Sequence, residues 1–293
     1  MAMVNQAVLT AMSVGFSRIF NNSLKNVDTS YKKVATVIDV KTISVDYGFL
    51  AGFAKMKEWV GDRVLKDLKA HSYTITKKDW ELTIEVSRDV IEYDQIGIVK
   101  PQIQQMAHDA RTHYDEIVFA LLEKNDLCFD GQKFFSNKHP VGKTTMSNIG
   151  TAALTPQSFM KAREEMRGIV SDGGKSLKIK PNLLIVPPQL EKTAIEILKK
   201  DFLANGESNI TKDMGDYLVI DDLADPKAWY LLDTTRPLKP LILQRSKKIK
   251  FTAMDKIDDE SVFMRKSFRY GVDSQDNAGY GLWQLAYMSS GSS

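Results

Sequence analysis

The chain has 293 residues, 43% of them hydrophobic, which is enough for one large or two ordinary domains with a real core and excludes a disordered chain. With 40 Lys+Arg against 37 Asp+Glu the net charge is only +3, too small an excess to coat nucleic acid by electrostatics alone, so any nucleic-acid contact is local. A single cysteine, Cys128, excludes an intramolecular disulfide framework and a Cys-based zinc site, and suits assembly in a reducing cytoplasm as a small buried residue. Residues 1–20 lack the basic start, long apolar core and cleavage pattern of a signal peptide, and no window approaches the roughly 18 apolar residues of a membrane span.

From Val4 to Phe20, apolar residues at helical spacing predict a short helix on an otherwise extended arm, stopped early by Asn21-Asn22-Ser23. Residues 34–45 are rich in β-branched side chains and read as a strand. Between Tyr47 and Ile84, Gly48, Gly52 and Gly61 punctuate a lysine-rich stretch with Trp59 and Trp80 near its two limbs. This reads as a long two-stranded excursion, which needs a neighbour to lie on because an isolated hairpin buries too little surface.

Residues 101–124 form the clearest predicted helix, with Ile103, Met106, Ala107, Ala110, Tyr114, Ile117, Val118, Leu121 and Leu122 on one stripe and Pro101 in its first turn. Asp130-Gly131 is a turn signal beyond it, with Gly131 placed at positive φ, and residues 142–153 read as a loop. Thr155 is the expected N-cap of a second helix with Pro156 at its first position, ended by Asp172-Gly173-Gly174. Residues 182–186 make a short buried strand between two prolines, and residues 189–202 return to helical spacing, so the alternation marks a compact second domain. Residues 217–220, 228–232, 241–251, 261–270 and 281–288 are mostly strand-like. Residues 270–283 are expected to form a turn between two apolar, aromatic-rich segments, and the Ser/Gly tail a flexible end.

No convergent catalytic set accompanies these elements. Asp172-Gly173-Gly174-Lys175-Ser176 lacks the first glycine of a phosphate loop, where Ile169 stands, and Pro181 precedes any helix that could receive a phosphate. Residues 273–279 offer calcium-type oxygens at the wrong spacing and read as a polar turn. Asp258-Asp259-Glu260 and Asp221-Asp222 read as solvated turns. His71, His108, His113 and His139 are scattered, with His108 and His113 on different faces of their helix. The run Arg245-Ser246-Lys247-Lys248-Ile249-Lys250, as an alternating strand, puts Ser246, Lys248 and Lys250 on one face. It meets phosphates, pairs with acidic surfaces of sister subunits, or is solvated, and the last two readings are favoured.

The order and spacing of Tyr47-Gly48-Phe49-Leu50, Lys57-Glu58-Trp59-Val60-Gly61-Asp62-Arg63, Ala70-His71-Ser72-Tyr73, Val86-Ser87-Arg88-Asp89 and Phe129-Asp130-Gly131-Gln132 through His139-Pro140 carry a resemblance. The chain resembles the major head subunit of Mu-like phages and prophages, the Mu gene T product family. The resemblance covers nearly the whole chain. It implies an α+β fold of the Hong Kong 97 phage capsid type: an N-terminal arm (1–33), a peripheral-domain strand region (34–51), an extended loop (52–80), a peripheral domain with a long spine helix (81–154), an axial domain (155–236), and peripheral-domain strands with the C-terminus (237–293).

On that resemblance the chain is a self-assembling structural protein without catalytic, cofactor or metal residues, built into hexamers and pentamers of an icosahedral shell around double-stranded DNA. The extended-loop residues Phe53, Trp59, Val60, Arg63 and Trp80 would touch neighbouring subunits, and Asp130 and Gly131 would form a structural turn. Implied partners are other copies of the chain, a scaffolding protein, a portal, a head protease, and the packaged DNA through weak non-specific contact, with no membrane. The expected location is the virion capsid, assembled in the bacterial host cytoplasm. A fold beginning within the first few dozen residues implies that any scaffold is a separate protein, and neither partner of a Lys to Asn cross-link is matched. The rival readings are a hydrolase, with Asp, His and Ser converging in residues 155–236, and a tail or decoration protein of the same virion.

Overall fold

The computed structural model describes residues 6–47, 73–92, 96–202, 206–256 and 258–292. In chain order the elements are α1 (Gln6–Asn26), α2 (Tyr31–Val34), β1 (Ala35–Asp39), β2 (Ser44–Asp46), β3 (Thr74–Thr76), β4 (Lys78–Ser87), α3 (Arg88–Glu92) and α4 (Ile96–Lys124). They continue through β5 (His139–Val141), β6 (Thr144–Met146), β7 (Ile149–Gly150), α5 (Pro156–Gly168), β8 (Leu183–Val186), α6 (Glu191–Leu198), β9 (Asp216–Val219) and β10 (Trp229–Leu232). The last are β11 (Leu241–Met254), α7 (Glu260–Arg265), β12 (Ser267–Tyr280) and β13 (Ala286–Ser289).

Two sheets organise the chain. One has the order β1-β11-β12-β4, with the 14-residue strands β11 and β12 antiparallel at its centre. The other has the order β7-β13-β10-β8-β9. Its strands β8 and β10 are buried at every position, as strands covered on both faces must be. The predicted second domain is therefore not closed within residues 155–236: its sheet takes β7 from before that span and β13 from the end of the chain.

Helix α1 does not stop at residue 20. It runs on through Asn21-Asn22-Ser23, where the Asn21 amide donates to the Ser17 carbonyl four residues back, at 2.8 Å, a contact that helical geometry accommodates. Phe20, fully buried, packs 5.3 Å from Phe251, and Phe16 meets Tyr270 edge-on at 5.1 Å. With Val99, Ile103, Met106 and Ala107 of α4 these side chains form a second hydrophobic cluster beside the main core. Each full burial of an aromatic or aliphatic side chain contributes roughly 1.5–3 kcal/mol, ample to override the weak helix propensity of three polar residues.

Helix α4 begins at Ile96, so Pro101 lies inside it rather than in its first turn, leaving the Gly97 carbonyl without its usual helical donor. The predicted strand over residues 34–45 is divided into β1 and β2. The predicted loop over 142–153 contains β6 and β7, with Gly142 at φ +59° turning the β5–β6 hairpin. Thr155 caps α5 with a reciprocal capping box to Ser158. The helix ends at Gly168, and Asp172-Gly173-Gly174 turns a small loop closed by the Val170–Ser176 bridge. Residues 261–270 divide between α7 and β12.

The largest difference from the sequence reading is at residues 270–283, where the expected turn is instead the second half of β12. Strand pairing on both edges explains it: Ser274 is in register with Trp80, and Asp276 with both Lys78 and Arg245. Bonding along both edges, with charged partners opposite, outweighs the turn preference of Asp, Asn and Gly.

Candidate functional site

Of the residues expected at contacts between subunits, Phe53, Trp59, Val60 and Arg63 lie outside the described residues. The backbone on either side is fixed. Tyr47 N–H donates to the Tyr73 carbonyl at 2.8 Å, so residues 48–72 leave and re-enter the fold at adjacent points. The Tyr47 hydroxyl donates to Gln244 Oε1 at 2.9 Å and Gln244 Nε2 donates to the Ile75 carbonyl at 3.1 Å, fastening both limbs to β11.

Trp80 is a sheet residue and not part of that excursion. It sits on β4, its indole N–H donates to the Asp276 carbonyl at 3.2 Å, and its ring packs 4.4 Å from His113. Beside it the fully buried Asp276 carboxylate meets His113 Nε2 at 3.2 Å, its other oxygen having no hydrogen-bond partner among the described residues. His108 is exposed, five residues away on another face of α4. Nothing in the linear pattern announces the His113–Asp276 contact, because 163 residues separate its members.

Three members of the basic run of β11 have acidic partners in the chain. Arg245 Nε donates to Asp39 at 2.8 Å, Lys248 lies 3.5 Å from the same carboxylate, and Lys247 pairs with Asp273. Arg245 holds the Asp39 carboxyl below its ordinary range. Register shifts on either side of Lys247 break the simple alternation expected of this strand.

Asp130 and Gly131 occupy a tight turn after α4. Gly131 has φ +76°, and its N–H donates to the Cys128 carbonyl at 3.0 Å. Asp130 Oδ1 accepts from the Cys128 thiol at 3.1 Å and from Gln132 N–H at 3.0 Å, while its Oδ2 lies 2.6 Å from His139 Nδ1. His139 is fully buried and stacked on Trp283, with ring centroids 3.9 Å apart and planes within 6°. Burial pushes the Cys128 thiol well above its ordinary value, which keeps it from being a nucleophile. The scattered histidines of the sequence thus divide into one exposed residue, His108, and two structural ones, His113 and His139, while His71 lies outside the described residues.

The span 155–236, where the hydrolase reading placed its site, contains no His and no Cys, so a histidine base for a triad there would have to come from outside the span. Arg163, a potential electrophile there, is spent on the Pro181 and Met214 carbonyls at 2.6 and 2.7 Å.

Comparison with solved structures defines the class. A chain of the procapsid of bacteriophage JBD30 superposes with a TM-score of 0.64 at 36% identity, covering 98% of this chain and 76% of that one. A chain of the JBD30 capsid gives 0.58 at 30% identity, covering 75% and 99%. The fold is that of a phage capsid protein of the Hong Kong 97 type. The family described as Mu-like prophage major head subunit gpT matches residues 9–156, 146–223 and 219–292. The chain is 32% identical over 289 residues to the Mu-like prophage FluMu major head subunit of Haemophilus influenzae, covering 98% of this chain and 74% of that protein. It is 30% identical to the major capsid protein of Escherichia phage Mu, covering 97% and 73%. The chain belongs to the Mu-like prophage major head subunit family, and is a major capsid protein of a Mu-like phage or prophage.

Proposed function

We propose that this chain assembles, as hexamers and pentamers, into a closed icosahedral shell around double-stranded DNA, and that it acts by repeated contacts between copies without catalysis. The observation that carries this is the agreement over almost the whole chain with a procapsid chain at 36% identity. Shell closure then follows from rotational symmetry acting on many individually modest contacts. The described surface supplies apolar side chains for such contacts: Phe263 and Met264 on α7 are 80% and 69% exposed, and Ile210 is 73% exposed.

In this reading the part of the expected 52–80 loop that precedes β3, residues 52–72, reaches a neighbour, with Phe53, Trp59, Val60 and Arg63 at the contact. Helix α4 is the spine, and the five-stranded sheet with α5 and α6 is the axial unit. A scaffolding protein, portal and head protease take part, DNA is met weakly and non-specifically, and assembly takes place in the bacterial host cytoplasm. No helix among the described residues is long and apolar enough to cross a membrane.

Negative-stain microscopy and sedimentation of the purified chain over a range of concentration and salt test the reading. Shells, tubes or rings of five or six subunits are expected. Strictly monomeric protein that stays so with its cognate scaffold would refute it. Trp59→Ala is expected to impair shell formation more than folding of the subunit. A soluble variant that still assembles fully would remove Trp59 from the contact.

A further inference from the structure

The hydrogen bonds of the cluster around His139 specify where its protons are. Asn148 is fully buried and its orientation is fixed by backbone carbonyls: Nδ2 lies 2.8 Å from Phe134 O, 3.3 Å from Trp283 O and 3.2 Å from Ala286 O. Flipping the amide would set its oxygen against three acceptors. Asn148 Oδ1 therefore faces inward, where it accepts from Ser136 N–H at 2.8 Å and lies 3.1 Å from His139 Nε2. That contact is a hydrogen bond only if Nε2 carries a proton.

The other ring nitrogen, Nδ1, faces Asp130 Oδ2 at 2.6 Å, the length of a charge-assisted bond. Burial alone would raise the Asp130 carboxyl. The bonds from His139, Cys128 and Gln132, with the charge on His139, outweigh burial and hold it below its ordinary value of 3.8. A carboxylate there requires a proton on Nδ1 as well. The parallel Trp283 ring completes the site, since an indole face favours a cation over a neutral ring.

We propose that His139 is a buried imidazolium, paired with the Asp130 carboxylate beneath Trp283, and that this pair is an acid-sensitive latch at the junction of the two sheets. The placement gives the latch its role. Asp130 and His139 belong to the segment that follows α4. Trp283 lies in the short connection from β12, in the four-stranded sheet, to β13, in the five-stranded sheet, and Asn148 directly precedes β7, which pairs with β13. Among the described residues, the ionisable groups at the ring are Asp130 and, with its ligand atom within 4.8 Å, the Cys128 thiol; one ring face stacks on Trp283 and Nε2 meets Asn148. Protonating Asp130 removes the acceptor that stabilises the buried cation and frees the loop from the strap between the sheets.

Cys128, Asp130 and His139 are also residue types that bind metals, with ligand atoms within 4.8 Å of one another. The 2.6 Å span from Nδ1 to Oδ2 is that of a shared proton rather than two ligands flanking an ion, and the thiol is kept protonated by burial.

The sign of the pH effect follows from the depressed carboxyl. Its stabilisation is fully present above 3.8 and is lost as pH falls through the lower value of the folded state. The deciding measurement is nitrogen-15 NMR of the histidine rings in the unassembled full-length chain near neutral pH, with His139 assigned by His139→Gln. Two N–H signals on the His139 ring are expected. A ring with one protonated and one bare nitrogen, or stoichiometric zinc by elemental analysis, would overturn the proposal. In Asp130→Asn, hydrogen exchange at Ser136 N–H should quicken by about tenfold or more, as for loss of one charge-assisted hydrogen bond. The loss of exchange protection expected of the parent below 3.8 should be absent from this variant. A variant that keeps the parent's acid profile would show that Asp130 is not the trigger. The ring measurement on the parent protein decides even if the variant fails to fold.

Discussion

Replacing Gly131 isolates one cause of turn stability. Its φ of +76° lies in the left-handed region, and a Cβ built there meets no atom within 4 Å, so a side chain encounters no collision and the penalty is confined to the backbone. For an L-residue that penalty is about 1–2 kcal/mol, and for a β-branched one about 1–3 kcal/mol. Asn tolerates the same conformation through local hydrogen bonding and should lose roughly 1 kcal/mol or less. At about 2–4 °C per kcal/mol for a chain of this size, Gly131→Val should melt about 2–12 °C below the parent and Gly131→Asn within a few degrees of it. Urea denaturation of the unassembled subunit, followed by tryptophan fluorescence, checks the same ordering without the irreversibility of heating. A valine variant with the parent's midpoint would show that the positive φ does not limit the turn. An asparagine variant as damaged as the valine one would show that the penalty is not conformational.

His113→Ala should destabilise the subunit by about 3–5 kcal/mol, because it strands the Asp276 carboxylate, which is 0% exposed and has no other side-chain hydrogen-bond partner among the described residues. Adding Asp276→Asn should restore much of the loss, and independent, additive effects in a double-mutant cycle would refute the coupling. Cys128, buried and with its thiol pushed up, should resist alkylation at mildly alkaline pH in the native chain and react fully in denaturant; rapid native labelling would contradict its burial. Thr155→Ala, which removes the acceptor for Ser158 N–H in the α5 capping box, should lower stability by about 0.5–2 kcal/mol in urea titration, and an unchanged midpoint would count against the cap.

Assembly and folding draw on different parts of this chain. The two hydrophobic clusters stabilise the subunit, whereas Phe263, Met264 and Ile210 contribute little to it from the surface. In the basic run of β11, Arg245, Lys247 and Lys248 lie against Asp39 and Asp273 of their own chain, and Lys248 remains largely exposed. Exposed pairs of this kind are worth little in stability, about 0–1 kcal/mol each, so their effect is mainly to neutralise charge along the sheet.

What the sequence by itself determined is local or carried by spacing. The apolar stripe of α4, the Thr155-Pro156 start of α5, the proline-bounded strand β8 and the Asp130-Gly131 turn each rest on neighbours within a few residues, where periodicity, capping and allowed φ act directly. The order of short motifs along the chain was also enough to show the family. The tertiary structure alone decided what depends on partners far along the chain. Asp273 to Asp276 became strand because β4 and β11 bond both edges, residues 277–279 continue it along β11, and Asn21 to Ser23 stayed helical because Phe20 is locked into a core built from α4, β11 and β12. His113 found Asp276 only through a contact spanning 163 positions, and the five-stranded sheet closed only with the chain's last strand. In each case the local preference is worth a few tenths of a kcal/mol to about 1 kcal/mol, and burial with pairing on both sides is worth several times that.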